Sequence, residues 1–126
     1  MRIVFDTSFI MTCVKEKIDF LHELEGNELL LPKQVIGELE KLTEDQQKKI
    51  KERGLAKTSL MLINSFRNRF KEIELEKKFV DRGIELLAEE GNEIVIATLD
   101  KELRNKLKGK FKFLIITKKK KLEIVN

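Results

Sequence analysis

Four acidic residues stand where carboxylates can do chemistry. Asp6 closes the apolar run IVF, and Asp100 closes the longer run EIVIATL. If both runs are parallel strands, both carboxylates lie outside the carboxyl ends of a sheet, where open α/β proteins build their sites. Glu38 shares the i, i+3, i+7 line of Val35 and Leu42, whereas Glu40 points away from it. Asp81 repeats that spacing with Ile84 and Ala88, near the start of its own helix and hence near one end of the sheet. Each acid also has a plain structural reading. Asp6 and Asp100 are ready N-caps, Asp81 is a first-turn acid favoured by the helix dipole, and Glu38 is an ordinary solvated helical carboxylate. Together on one rim, however, four carboxylates would repel and push their pKa values up unless a cation sat between them. A hard divalent ion with oxygen ligands, Mg2+ or Mn2+, fits such a set.

Other chemistries lack their residues. Cys13, the single cysteine, lies on the apolar side of the first helix and is expected to pack there. The single histidine, His22, falls late in that helix, where a structural place is expected. No Cys/His set exists for zinc, and the six glycines form no phosphate-cradling loop. A phosphoaspartyl receiver needs paired acids after its first strand, but Phe5 and Thr7 flank Asp6. The Asp-x-Asp of a phosphatase fails at Ser8.

These residues need elements to hold them. Residues 2–5, 28–31, 70–75, 93–99 and 112–117 read as strands, with an edge strand at 122–125. Residues 8–24, a stretch from Pro32, 44–65, 79–90 and 101–108 read as helices. A break is expected at Gly54. Alternating strands and helices predict a three-layer α/β/α sandwich with a central, mainly parallel sheet of about five strands. At 126 residues, 41% hydrophobic, the chain is expected to be one domain, 1–126. No apolar run approaches the roughly 20 residues of a membrane span. The N-terminal apolar segment is too short for a secretory core, so a cytoplasmic protein is expected.

Charge is unevenly placed. Residues 101–126 carry ten basic and two acidic side chains, a net +8, against −4 for the first hundred. That asymmetry points to a polyanion partner at one end of the molecule, or else to a solvated lysine-rich tail. Lys101, Arg104 and Lys108 fall on one face of the helix that starts beside Asp100, and Arg82 adjoins Asp81. With eight Phe and neither Trp nor Tyr, nucleic acid would be held through its phosphates more than by stacking.

In this order the motifs resemble those of PIN-domain ribonucleases: IVFDTSFI with Asp6, PKQVIGEL with Glu38, VDRGIELLAEEG with Asp81, and IVIATLDKELR with Asp100. Each is weak alone; four in register across nearly the whole chain are fairly specific. The resemblance implies an endoribonuclease with Asp6, Glu38, Asp81 and Asp100 as catalytic metal ligands for Mg2+ or Mn2+. Ser8 and Thr98 would be their polar support, and Arg82, Lys101, Arg104 and Lys108 would contact RNA. Among family members the small rRNA-processing type and VapC-type toxins look nearest. Expected partners are therefore single-stranded RNA or structured rRNA or tRNA, a second copy of the chain, and an antitoxin or a ribosome-assembly factor. Two departures stand out: Arg82 replaces a second acid after Asp81, and Leu99 replaces a polar residue before Asp100. The rival class is a PIN-like fold without catalysis, serving as an RNA-binding or assembly module.

Overall fold

The structure, a computed structural model, describes residues 1–75 and 93–126. Its strands are β1 (Arg2–Phe5), β2 (Glu28–Pro32), β3 (Phe70–Ile73), β4 (Ile94–Ala97), β5 (Lys112–Ile116) and β6 (Leu122–Val125). They form one sheet in the order β3-β2-β1-β4-β5-β6. Five strands are parallel, and β6 returns antiparallel to β5. The expected sheet of about five parallel strands is therefore present, with the C-terminal segment as its antiparallel edge.

Side chains alternate between the two faces, as a sheet covered on both sides requires. Ile3, Phe5, Leu29, Leu31, Val95 and Ala97 enter one core, while Val4, Leu30, Ile94 and Ile96 enter the other. The first core takes apolar residues from α1 (Thr7–Lys15), α2 (Phe20–Glu23), α3 (Lys33–Glu44) and α4 (Ile50–Ser65). The second takes Leu103 and Leu107 from α5 (Lys101–Leu107). The helix expected at 79–90, with Asp81 and Arg82, lies outside the described residues.

Two helices differ from expectation, each for a local reason. Residues 8–24 are two helices, because Lys17 takes a left-handed conformation with φ 58°. The amide of Ile18 then donates to the Cys13 carbonyl at 2.9 Å and that of Lys17 to Val14 at 3.3 Å. This double closure ends a helix, and Asp19 caps the next one through the His22 amide. Residues 44–65 do not run on from α3 either. Asp45 turns the chain by accepting the Gln47 amide at 2.9 Å, the local competition that makes Asp a turn former. The break thus falls at Asp45, and Gly54 lies inside α4.

Phe5 is the hub of the first core. Its ring centroid stands 5.9 Å from Phe9, 5.5 Å from Phe20 and 6.3 Å from Phe70. One residue at the end of β1 thereby ties α1, α2 and β3 together. Cys13 is fully buried in the same core. Burial, with the nearby Glu23 charge, pushes its thiol up to about 12, so it packs as a protonated, unreactive group. Phe5→Ala is expected to cost about 3–5 kcal/mol, read as a lower urea midpoint at unchanged slope. A cost below about 1 kcal/mol, the scale of a surface change, would contradict this role.

Candidate functional site

Strand order reverses between β1 and β4, so a crevice opens beyond their carboxyl ends. Phe5 pairs with Ala97, and the Asp6 amide donates to the Ala97 carbonyl at 3.1 Å. That extra rung sets Asp6 beside Thr98. The Thr98 side chain is fully buried. Its hydroxyl donates to Asp6 Oδ2 and accepts from the Asp100 amide at 3.1 Å. A single hydroxyl thus connects the segments that carry two of the four predicted acids.

Asp6, a candidate site residue, is also the N-cap of α1. Its Oδ1 accepts from the Phe9 amide at 2.8 Å and from the Ser8 hydroxyl at 3.2 Å. Ser8 and Thr98 therefore both touch Asp6. Asp100 Oδ1 likewise caps α5, accepting from the amides of Glu102 at 3.0 Å and Leu103 at 3.2 Å. Burial pushes the Asp6 carboxyl above the usual range. Hydrogen bonds from Thr98, Phe9 and Ser8 pull it partly back, and the Asp100 charge adds a further push upward.

Glu38 approaches from α3. Its Oε2 accepts from the Thr7 hydroxyl at 2.6 Å, which fixes α3 to the first turn of α1. Asp6, Thr7, Gln34 and Glu38 line one cavity of about 140 Å3, among apolar side chains that include Val4 and Ile96. Gln34 Oε1 is buried there without a hydrogen bond. Thr7 and Gln34 were not expected from the sequence. Gln34 had a signal, one turn before Glu38 on the same helix face; Thr7 had none, because its partner is 31 residues away.

Lys101 is exposed on α5, and Arg104 is half-buried with an enclosed, unpartnered Nε. Lys108, expected on the same helix face, is exposed but follows the end of α5 with extended backbone (φ -58°, ψ 133°). The basic stripe is therefore less uniform than its spacing implies. Among the described residues no three His, Cys, Asp or Glu side chains gather as a metal-holding group. What the structure brings together is the Asp6–Asp100 pair, with Glu38 across the shared cavity from Asp6. This donor set fits a hard divalent cation: all its donors are oxygen, and the hydrogen bonds to Asp6 only partly offset its two penalties, burial and a neighbouring negative charge. One or two carboxylates suffice for an ion of the Mg2+ kind, which keeps several waters.

A mostly parallel sheet with a half-buried Asp6 and an exposed Asp100 at its switch point defines an α/β protein with a candidate site on that rim. Comparison makes it specific. A family model described as a PIN like domain matches residues 3–120, and the chain belongs to that family. It is 30% identical over 129 residues to Ribonuclease VapC4 of Methanocaldococcus jannaschii, covering 98% of this chain and 95% of that protein. A solved structure of the PIN domain endonuclease Utp24 shares the fold with a TM-score of 0.68 at 20% identity, covering 99% of this chain and 96% of that one.

The Asp6 environment gives a stability prediction. The folded chain holds the Asp6 proton more tightly than the unfolded chain does, so ionising Asp6 disfavours the fold. That penalty is complete above the folded-state pKa and absent below the unfolded-state value. In EDTA at pH 7, Asp6→Asn is expected to melt above the wild type, since Asn still caps a helix. The gain should fade as pH falls through the raised Asp6 value and disappear below the usual carboxylate range. A variant that melts below the wild type at pH 7, with no pH dependence of the difference, would contradict it.

Proposed function

We propose that this chain is a metal-dependent endoribonuclease that hydrolyses RNA phosphodiester bonds at the rim carrying Asp6 and Asp100. The observation behind this reading is the buried Thr98 hydroxyl that couples the two acid-bearing segments at the switch point. A protein with no use for a charge there has little reason to bury a carboxylate beside another. The ribonuclease name of the 30%-identical relative supports the same class of reaction.

Asp6 and Asp100, with Glu38 and Asp81, would hold Mg2+ or Mn2+. When bound, such an ion lowers the pKa of a coordinated water and offsets charge on the scissile phosphate and the leaving oxygen. The chain's own residues do the positioning. Ser8, Thr98 and the Phe9 amide fix the orientation of Asp6. Thr7 fixes Glu38, and the α5 amides fix Asp100. Lys101, exposed on α5, and Lys108, exposed just past its end, with Arg104 and Arg82, would meet the RNA backbone. Water attacking in line would leave a 5′-phosphate and a 3′-hydroxyl. The cellular role would be rRNA processing or that of a VapC-type toxin with an antitoxin partner.

The test is cleavage of an end-labelled single-stranded RNA with Mg2+ or Mn2+. Expected are cutting abolished by EDTA and by Asp6→Asn with Asp100→Asn, and a 5′-phosphate on the downstream product. Thr98→Val should lower the rate about 10- to 100-fold, the usual loss when a group that orients a metal ligand is removed. Products ending in 2′,3′-cyclic phosphate would overturn the hydrolytic reading. RNA binding with no cutting and no metal uptake would point to the non-catalytic module.

A further inference from the structure

The lysine run at 118–121 is not a tail. It is the turn between β5 and β6, closed by three hydrogen bonds. The Thr117 amide donates to the Lys121 carbonyl at 2.8 Å, the Lys120 amide to the Thr117 carbonyl at 2.9 Å, and the Lys121 amide to the Thr117 hydroxyl at 3.2 Å. Lys120 has φ 62°. This is the left-handed place of a three-residue hairpin, where glycine is the usual occupant. The sequence keeps a long cation there against that preference. Lys120 Nζ lies 3.3 Å from Glu16 at the end of α1, which anchors the turn on the α1 side of the sheet. Lys118, Lys119 and Lys121 are exposed and form no ion pair with any described residue.

Topology places these charges. β5 is parallel to β4, so the turn leaves the sheet at the same end as Asp6 and Asp100. It stands one strand from β4 and two from β1, about 5 and 10 Å across the sheet. α5 packs on the opposite face from α1. The acids therefore have a cationic helix on one side and a cationic turn on the other. A backbone crossing the rim from α5 would meet the turn next.

We propose that the 118–121 turn is a second phosphate-binding element, which holds RNA on the α1 side of the acidic rim. The inference rests on the RNA reading of that rim, and its test does not depend on cleavage. Binding of a labelled single-stranded RNA is measured in EDTA across a salt series for three proteins. These are the wild type, Lys118→Ala/Lys119→Ala/Lys121→Ala, and the matching triple Lys→Arg variant. Lys120 is left in place so that the Glu16 contact survives. Each phosphate contact to a single strand contributes about 0.7 to the slope of log affinity against log salt, so three lost contacts should flatten it by about 2. The loss should be similar for different RNA sequences, and the Arg variant should keep the wild-type slope. Where the wild type cuts, the Ala variant should show a raised KM at unchanged kcat. A wild type that binds but does not cut leaves this inference standing while the nuclease reading falls. An Ala variant with the wild-type slope overturns it. So does one that self-associates through the β6 edge while its slope is unchanged, since the lysines would then only guard a sheet edge.

Discussion

Two carboxylates held near each other, one of them half-buried, are an electrostatic burden that an ordinary fold would not carry. The Thr98 hydroxyl makes the arrangement possible. It donates to one acid and accepts from the backbone amide of the other, so a buried polar group has partners in both directions. The remaining Asp6 oxygen is satisfied by the first turn of α1. Hydrogen bonding thus offsets part of the desolvation cost. The remainder keeps Asp6 raised, and a bound cation would relieve it.

The rest of the fold serves that contact. Asp6 can stand beside Thr98 only if β1 and β4 are neighbours in register, and this pairing lies where the strand order reverses. The apolar alternation of both strands fixes the register, because a slip of one residue would turn Phe5 and Ala97 out of the first core. Phe5 couples the position of Asp6 to α1, α2 and β3 through its ring contacts. Packing free energy is spent here on holding charges together, a common compromise between stability and function.

Much of this was legible in the sequence. The strands at Arg2–Phe5 and Ile94–Ala97 are buried throughout and, Arg2 apart, apolar, so composition and burial agree. Asp6 and Asp100 were readable as strand-end acids, and both are also the caps that their neighbours allow. Helix ends were harder. Lys17 adopts a conformation that its residue type disfavours, and Asp45 chooses between helix and turn through a local bond. Neither choice shows in hydrophobic periodicity. Thr7 was invisible because its bond to Glu38 crosses 31 residues. The lysine run was legible as charge alone, and only the pairing of β5 with β6 turns it into an ordered element on the rim.

The central claim is that Asp6 is held in an unfavourable electrostatic position that a divalent cation relieves. The most direct measurement is a carbon-13 NMR titration of the Asp6 carboxyl, in EDTA and again with saturating Mg2+. The account predicts a midpoint above the usual carboxylate range in EDTA and a clear downward shift with the metal. A midpoint in the ordinary range that Mg2+ does not move would contradict it.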